Sequence, residues 1–432
     1  MDQKYNIVCL SNQFFNSELK TNKWYAMTRA ARRGHNVVFV DPPTRFKALK
    51  EVFGRKLDLK RILTGVSNPY QNISLFTPAN IFSFNPFTFF NTWFHLSTIK
   101  RLLGKLEKRP VILWVYHFDF PDLENVIKNL NHDILIYDCV DEYTAFPEYA
   151  QKKFMNKGIV HFIKNFDENL KIAVNQKGVF GKEWVIKRES FLAGVSDLVF
   201  TSAPNLTLKF KGIVKDLNRA ENIVNYFPNA GDYDRYKESV NFKDQVPEDM
   251  ARLPKPIIAT VGAVDNYKYN IKLLEKCAMR YPDYSFVFIG PENVSDPDLD
   301  LSVLESLKNV HFFGLRKNTL IPYYHAGIDV FIIPYNLNDY TIGGCFPIKF
   351  HDALSSGLPV VVTNLPAYEP FEEVCYIARN EDEFVEFIKK ALEEDTGAKQ
   401  KARMDVAKQN SWDGKVDSQL ELIRETLKQK ER

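Results

Sequence analysis

The sequence lacks long apolar runs, and its N-terminus lacks the features of a secretory signal. Across its 432 residues, no stretch of about 18 consecutive apolar residues occurs, the length that a membrane-spanning helix requires. The first residues, MDQKYNIVCLSNQ, contain no basic segment followed by a long apolar one, as a signal peptide would. We therefore expect a cytoplasmic protein without a membrane-spanning helix.

Cysteine is scarce and the net charge is small. The five cysteines are scattered and form no C-x-x-C pair, which argues against a zinc site or a disulfide framework. Lysine and arginine number 57, and aspartate and glutamate 54, so nothing indicates a nucleic-acid partner. A P-loop, a G-x-S-x-G motif, an H-E-x-x-H motif and a dinucleotide fingerprint are all missing. We expect neither a resident cofactor nor a metal ion.

The sequence does contain a repeated alternation of short apolar strands and helices, in a chain long enough for two domains. Apolar runs that end in polar or glycine-containing turns are typical of buried parallel strands. Such runs occur at 5–10, 37–40, 111–116, 133–137, 197–202 and 223–227, and again at 256–261, 285–289, 310–313, 329–333 and 360–362. The pattern predicts an α/β protein with two Rossmann-like, doubly wound domains facing across a cleft.

A polar, proline-bounded segment separates the two series of strands. We place an N-terminal Rossmann-like domain at 1–232, a linker at 233–255 and a C-terminal Rossmann-like domain at 256–410. The last segment, 411–432, reads as a helix with Val416, Leu420, Ile423 and Leu427 on one face.

The stretch 343–362, GGCFPIKFHDALSSGLPVVV, predicts a glycine loop, a helix, a glycine stop at Gly357 and a buried strand. Free backbone N–H groups and the positive end of a helix dipole suit a phosphate or diphosphate. Lys349 and Asp352 are three residues apart and would share a helix face. Lys349 could neutralise a leaving diphosphate, and Asp352 could accept ribose hydroxyls. A surface ion pair between these two residues is the alternative.

Other residues of the second half could face the same phosphates. The backbone amides of Gly343, Gly344 and Cys345 precede this helix, and Gly262 follows a predicted strand as a candidate phosphate-side turn. Lys268 and Arg316 are candidate diphosphate partners. Ordinary solvated basic residues are the alternative for both.

In the first half, polar side chains follow two predicted strands. Asp138, Asp141 and Glu142 form a carboxylate cluster, and His117 follows the strand before it. Asp141, Glu142 and His117 are candidates for orienting or deprotonating an acceptor hydroxyl. A metal site, a helix cap or a buried structural histidine are the alternatives.

Two neighbouring segments of the first half are unusual in composition. The segment 45–61 is basic, and the segment 80–103 is dense in phenylalanine and tryptophan. A solvated helix face with an ordinary core helix explains this pattern. A peripheral patch that binds the inner face of a membrane explains it as well.

The chain resembles glycosyltransferases of the GT-B fold, in particular those of bacterial cell-envelope polysaccharide assembly of the teichuronic-acid-biosynthesis type. The motifs that carry the resemblance are ARRGHNVVFVDPP, ILWVYH, YDCVDEYTAF, SDLVFTSAPNL and NYFPNAGDYDRY in the first half. In the second half they are TVGAVDNYKYNIKLLEKCAMRYPDYSFVFIGP, NVHFFGLRKNTLIPYYHAGIDVFIIPY, PIKFHDALSSGLPVVVTNLP and NSWDGKV.

The resemblance implies a nucleotide-sugar donor, with a UDP-sugar favoured, in the C-terminal domain and a glycan or lipid-linked acceptor on the N-terminal domain. It also implies metal independence and a final helix, 412–428, that returns to the first domain. Retaining members often carry Glu-x7-Glu; here Gly344 and Asp352 occupy the two positions. The first glutamate usually contacts the donor sugar, so its absence leaves the sugar and the stereochemistry open. Position 351 is histidine, where an aromatic or aliphatic residue is usual.

Three functions compete at this point. Glycosyl transfer, with retention favoured, accounts for most of these features. An isomerase of the UDP-sugar 2-epimerase type would need the donor site but no acceptor. A non-catalytic scaffold in a polysaccharide assembly complex would explain the missing glutamate.

Overall fold

The computed structural model describes residues 3–17, 19–45, 65–80, 88–146, 181–292 and 299–431. Two parallel-dominated sheets organise these residues. The strands of the first sheet are β1 (Asn6–Leu10), β2 (Asn36–Val40), β3 (Val66–Tyr70), β4 (Ile73–Phe76), β5 (Val111–Val115), β6 (Ile134–Cys139), β7 (Leu198–Thr201) and β8 (Val224–Tyr226). Those of the second are β9 (Ile257–Val261), β10 (Ser285–Ile289), β11 (Val310–Gly314), β12 (Val330–Ile333), β13 (Val360–Thr363) and β14 (Tyr376–Ala378).

Helices cover these sheets. They are α1 (Asn22–Arg32), α2 (Thr88–Leu103), α3 (Leu123–Asn129), α4 (Lys182–Val195), α5 (Pro204–Asp216), α6 (Tyr233–Tyr236), α7 (Glu248–Ala251), α8 (Ile271–Arg280), α9 (Ser302–Ser306), α10 (Ile321–His325), α11 (Asp339–Gly344), α12 (Ile348–Ser355), α13 (Glu381–Glu393), α14 (Gly397–Gln409) and α15 (Trp412–Lys430). Short 3-10 turns lie at Tyr143–Ala145, Glu221–Ile223, Lys237–Asn241, Lys243–Gln245, Asn318–Leu320 and Pro366–Phe371, and Thr44–Arg45 pairs with Ala79–Asn80.

The first sheet has eight strands in the order β8-β7-β6-β5-β1-β2-β4-β3. All neighbours are parallel except the edge pair β3 and β4. Strands such as β1 and β6 are buried along their whole length, because helices cover both faces of a parallel sheet. The strand order reverses between β1 and β5, so the crevice for a ligand is expected above their carboxyl ends.

The second sheet has six parallel strands in the order β11-β10-β9-β12-β13-β14. Its strand order reverses between β9 and β12, which places a second crevice at their carboxyl ends. The strands predicted from the sequence are all present, with end shifts of one or two residues. The two-domain, doubly wound α/β fold class is therefore confirmed.

The sequence did not predict the hairpin β3–β4 or the edge strand β14. The segment proposed as a linker, 233–255, contains α6 and α7. Its Tyr236 and Met250 are buried in the core of the second sheet, so this segment packs as part of the second half.

The final helix joins the two halves. Val416, Ile423 and Leu427 are buried in the core of the first sheet, although α15 follows the second sheet in the chain. Trp412 has no exposed surface and stacks on Tyr25 of α1, with 5.2 Å between ring centres. This geometry fixes the approach of the two sheets and hence the cleft between them.

Candidate functional site

Lys349 lies in the first turn of α12, directly above the crevice of the second sheet. Its ammonium donates to the Tyr269 hydroxyl and lies 4.9 Å and 5.4 Å from the ring centres of Tyr269 and Tyr335. The two aromatic rings hold the side chain over the carboxyl end of β9. A cation at a helix N-terminus on this edge suits a bound phosphate.

Gly262 makes room for that lysine. It follows β9 with a φ of +122°, and a Cβ at this position would lie 2.9 Å from the Lys349 Nζ. Gly290, after β10, approaches so closely that its Cβ would lie 2.1 Å from the carbonyl oxygen of Gly262. Both glycines are therefore needed for the backbone and the lysine to meet at this edge.

Lys268 lies in the turn after β9 and is already paired with a carboxylate. Its ammonium lies 3.2 Å from Asp265, a fully buried carboxylate, and 4.7 Å from the ring centre of Tyr267. Burial lowers the pKa of Lys268, but the charge of Asp265 and the smaller effects of Tyr267 and Cys345 together outweigh burial, so the pKa is raised. Lys268 thus remains a cation facing the cleft.

The prediction of a glycine loop before α12 is wrong. Gly343 and Gly344 are the last residues of α11, which Asn338 and Thr341 start with a reciprocal capping box. A Cβ at Gly344 would lie 2.7 Å from the backbone nitrogen of Glu142 in the first half of the chain. The close approach explains why no larger residue, glutamate included, fits at position 344 in this arrangement.

Cys345, which follows these glycines, is buried, and burial raises the pKa of its thiol to about 12. The thiol of Cys345 is therefore neutral. Its backbone N–H remains a candidate for the diphosphate.

Asp352 contacts a different part of the chain from Lys349. Its Oδ1 accepts the backbone N–H of Asp232 at 2.9 Å, in the loop that leads out of β8. Burial raises the pKa of Asp352 to about 7. The alternative considered from the sequence, a surface ion pair with Lys349, is absent from the ion pairs among the described residues. Asp352 instead contacts the connection between the two halves.

Arg316 lies apart from the lysines. Its guanidinium pairs with Asp249 of α7 at 2.9 Å and donates to the Tyr324 hydroxyl at 2.9 Å. No contact among the described residues joins Arg316 to Lys349. Its proposed role at the diphosphate remains a prediction that requires this ion pair to open.

Across the cleft, Asp141 follows β6 and faces the second half. Its Oδ1 accepts the Tyr340 hydroxyl of α11 at 3.0 Å. Burial raises the pKa of Asp141, and the charges of Lys23 and Lys268 oppose that effect. The structure therefore brings a candidate base from one half of the chain to the cation-lined wall of the other.

His117 is fixed in one tautomer. Its Nδ1 accepts the backbone N–H of Asp119 at 3.1 Å, so the neutral ring carries its proton on Nε2. Burial, and secondarily the charge of Lys23, lowers the pKa of His117 to about 3. A neutral ring held in this way can donate a hydrogen bond from Nε2 but is a poor base. Of the two roles predicted for His117, orienting the acceptor hydroxyl therefore suits it better than deprotonating it.

Glu142 is engaged on its own side of the cleft. Its Oε1 lies 2.7 Å from the Lys209 ammonium, which also lies 2.8 Å from the buried Glu189. Burial raises the pKa of Glu189 to about 7. Glu142 also accepts the backbone N–H of Thr144, so it fixes the loop that carries Asp141 and is a weaker candidate for a base.

The sequence did not single out Lys23. It lies in the first turn of α1, after β1, and its side chain is buried beside the Tyr116 ring. The one signal in the sequence is that Lys23 ends a polar segment, 11–23, that directly follows the apolar run of β1. Among the described residues, no three histidine, cysteine, aspartate or glutamate side chains gather in a metal-binding arrangement.

His351 packs against the connection between the halves and has an unusual environment. It is fully buried between Phe346, Phe350 and Phe371, with ring centres 5.0–5.1 Å away. Both ring nitrogens lack a hydrogen-bond partner among the described residues. Burial lowers the pKa of His351 to about 3.

Replacing His351 with phenylalanine is expected to stabilise the protein, because it removes two buried polar atoms without partners, a gain of about 1–3 kcal/mol. The unfolded state binds the proton of His351 below pH 6.5 and the folded state does not. Wild-type stability therefore falls relative to His351→Phe as the pH drops from 6.5 towards 3, by about 1.4 kcal/mol per unit. Denaturant titrations at pH 8 and pH 5 measure this difference, with the partly exposed His132→Gln as the control. If the free energy of unfolding changed equally with pH in wild type and His351→Phe, the description of the surroundings of His351 would be contradicted.

Residues 255–394 match the family model described as glycosyl transferases group 1. Over 255 residues, the chain is 24% identical to the putative teichuronic acid biosynthesis glycosyltransferase TuaH of Bacillus subtilis (strain 168). That alignment covers 59% of this chain and 56% of the relative, so the chain spans little more than half the length of the curated relative it matches.

Solved glycosyltransferase structures share the fold over nearly the whole chain. Sucrose-phosphate synthase from Thermosynechococcus elongatus has a TM-score of 0.64 at 12% identity, covering 98% of this chain and 99% of that chain. Anabaena HepE in complex with UDP and glucose has a TM-score of 0.58 at 14% identity, covering 99% and 100%. The GT-B fold and the family resemblance predicted from the sequence are confirmed.

Proposed function

We propose that this protein transfers a sugar from a nucleotide diphosphate sugar to a hydroxyl of a glycan or lipid-linked acceptor in bacterial surface polysaccharide synthesis. The position of Lys349 carries the proposal. Its ammonium lies at the N-terminus of α12 and beside Gly262, within the segment that matches group 1 glycosyltransferases. This cation opposes the charge that develops on a leaving diphosphate.

The donor site is the crevice of the second sheet. Lys349, the backbone N–H groups at the start of α12 and the Cys345 amide would hold the diphosphate, and Lys268 would add a second positive charge. We favour a UDP-sugar because HepE, which shares the fold, is solved with UDP. Asp352 would contact the ribose through Oδ2, since its Oδ1 accepts the backbone N–H of Asp232.

The acceptor site is the crevice of the first sheet, where Asp141 and His117 lie. In the transfer step, the acceptor oxygen bonds to the anomeric carbon and the bond from that carbon to the phosphate oxygen breaks. The diphosphate leaves with the electron pair, and Asp141 accepts the hydroxyl proton. His117 donates from Nε2 and orients a substrate hydroxyl.

Two finer features belong to the proposal. Cationic side chains, rather than a metal ion, would neutralise the leaving group, and turnover in the presence of EDTA tests this directly. The family resemblance favours retention of the anomeric configuration, which requires the acceptor hydroxyl to attack from the face of the sugar on which the diphosphate leaves. The ¹H coupling constant at the anomeric carbon of the product distinguishes retention from inversion.

A panel of UDP-, GDP- and dTDP-sugars tests the function. A donor that binds the cleft raises the melting temperature by mass action, and release of its nucleoside diphosphate then reports transfer. The isomerase and scaffold alternatives are not favoured. A sugar converted without nucleotide release would support the isomerase, and an unchanged melting temperature for every donor would support the scaffold.

We further propose that the protein works at the cytoplasmic face of the membrane. Helix α2 exposes Phe90 and Trp93, with 43% and 66% of their surfaces accessible, and Lys100 and Arg101 follow on exposed positions. Aromatic side chains beside cations suit a lipid interface with anionic headgroups. No helix among the described residues is long and apolar enough to cross a bilayer, so contact would be peripheral. Lys56, Lys60 and Arg61 of the predicted basic segment lie outside the described residues.

The double variant Phe90→Ser/Trp93→Ser is expected to reduce binding to vesicles of anionic phospholipid at least several-fold, because it removes the exposed aromatic area. Co-sedimentation with liposomes measures this binding. The matched control is Leu208→Ser on α5, which replaces another exposed apolar residue, 68% accessible. Equal binding by wild type and the double variant would contradict a role for α2 at the membrane.

A further inference from the structure

Lys209 of α5 bridges two carboxylates of the first half. Its ammonium lies 2.7 Å from Glu142 and 2.8 Å from Glu189. The side chain of Glu189 has no exposed surface, and that of Glu142 is 12% exposed. Ion pairs with so little exposure are screened weakly and hold their groups in place. Since Glu189 belongs to α4, Lys209 ties the loop after β6, residues 140–142, to both α4 and α5.

Further contacts fix the same loop from within the first half. Glu142 accepts the backbone N–H of Thr144 at 3.2 Å. The Cys139 Sγ lies 3.4 Å from the carbonyl oxygen of Asp141 and 3.8 Å from Glu189 Oε1. The loop therefore meets the buried carboxylate of Glu189 at two points, one through Cys139 and one through the bridging lysine.

The loop after β6 and the first turn of α5 together form the surface on which α11 of the second half packs. A Cβ at Gly344 would lie 2.9 Å from the Glu142 Cβ and 3.1 Å from the Leu206 Cγ. Asn205 donates to the carbonyl oxygen of Ile342 at 2.9 Å. Because α11 and the loop touch so closely, a shift of the loop displaces α11 as well.

Two groups of the proposed reaction lie on either side of this contact. Asp141, in the loop, accepts the Tyr340 hydroxyl of α11 at 3.0 Å. Residues 345–347 join α11 to α12, whose first turn carries Lys349. The position of the loop therefore sets the separation between Asp141 on the first half and Lys349 on the second.

We propose that Lys209 is a positioning residue for sugar transfer. By bridging Glu142 and Glu189 it holds the loop after β6 against α11, and so fixes Asp141 relative to the donor site. The proposal rests on the proposed function, in which Asp141 accepts the proton of the acceptor hydroxyl. A misplacement of about 1 Å between reacting groups lowers a rate by as much as about 10²-fold.

The first test separates binding from turnover. Lys209→Met is expected to lower kcat by about 10–100-fold and to leave the Kd of UDP, measured by calorimetry, unchanged, because the diphosphate site lies within the second half. Lys209→Arg keeps a cation for both carboxylates and is expected to recover most of kcat. Lys215→Met, which removes an exposed lysine of the same helix, is the matched control. An unchanged kcat in Lys209→Met, or a fall in kcat accompanied by an equal weakening of UDP binding, would overturn the proposal.

A second variant guards against loss of the fold. Lys209→Met alone leaves a buried carboxylate without its cation, which destabilises a protein. Lys209→Met/Glu189→Gln removes that charge as well, and it is expected to melt near the wild-type temperature with the same loss of kcat. Wild-type kcat in this double variant would overturn the proposal.

A double-mutant cycle tests whether Lys209 acts through the contact with α11. Tyr340→Phe removes the hydrogen bond between α11 and Asp141. If the two side chains hold the same contact, the loss of kcat in Lys209→Met/Tyr340→Phe is expected to be smaller than the product of the two single losses. Losses that multiply would show independent effects and overturn the proposal.

The last test does not depend on activity. Amide hydrogen exchange reports the local opening of each segment. In Lys209→Met, exchange in α11 is expected to become at least several-fold faster, whereas exchange in α13, elsewhere in the second half, stays at the wild-type rate. Unchanged exchange in α11, or equal acceleration in both helices, would overturn the proposal. A wild type without turnover on any donor would remove the proposed function, and exchange in α11 would then decide the effect of Lys209 by itself.

Discussion

Replacing Lys349 with methionine is expected to lower sugar-nucleotide turnover by about 10²–10³-fold, the effect of removing one preorganised group that stabilises developing charge. The physical reason is the position of the ammonium, above the carboxyl end of β9 and at the start of α12. Without it, the diphosphate would leave with its charge opposed only by backbone dipoles and by Lys268, whose charge is largely taken up by Asp265.

The same substitution is expected to leave the fold intact. The hydroxyl of Tyr269 keeps a partner in Thr260 Oγ1 at 3.1 Å, and methionine fills the space between the two tyrosine rings. Thermal unfolding and initial rates of nucleotide release measure the two effects separately. The matched control is Lys272→Met, which removes a lysine side chain that is 79% exposed. Turnover that is equal in wild type and Lys349→Met would remove the donor-site assignment.

Replacing Arg29 with methionine is expected to destabilise the protein by about 3–5 kcal/mol, the usual cost of leaving a buried charge without its partner. The side chain of Arg29 is 2% exposed and pairs with Asp232, which is 12% exposed, and with Asp413. These partners lie in the loop after β8 and at the start of α15. The ion pairs therefore hold the first half of the chain to the connection between the halves.

Arg33 provides a matched control for this prediction. It lies one turn further along the chain, where it pairs with Asp413 and the largely exposed Asp417. Arg33→Met is expected to cost no more than about 1 kcal/mol, because exposed ion pairs contribute little. Adding Asp232→Asn to Arg29→Met should recover part of the loss, since it removes the unpaired charge. Equal urea midpoints for Arg29→Met and Arg33→Met would contradict the description of this junction.

Much of the fold could be predicted from the sequence because parallel strands buried on both faces read as continuous apolar runs. NIVCL in β1 and SFVFI in β10 are examples, and each is buried at every residue. The hairpin β3–β4 was missed because its first strand, VSNPY, is partly exposed and contains proline. Strand β3 joins the sheet by pairing with β4, and β4 in turn pairs with β2.

The candidate site was predictable where local patterns determine it. Lys349 follows from a helix start before a glycine stop, and Gly262 from its place after a strand. Lys23 was not predictable, because a single lysine in a polar segment has no local pattern, and only tertiary packing buries it beside the Tyr116 ring. The two glycines of α11 were misread as a loop, because what requires glycine there is the close approach of Glu142, about 200 residues earlier in the chain.

The most direct measurement of the central claim is a crystal structure of the protein with UDP, paired with calorimetric titration of UDP into wild type and Lys349→Met. We expect the diphosphate within hydrogen-bond distance of the Lys349 ammonium and the first N–H groups of α12, with Asp141 facing it across the cleft. We also expect Lys349→Met to bind UDP more weakly. A diphosphate bound elsewhere, or equal UDP affinity in the two proteins, would contradict the account.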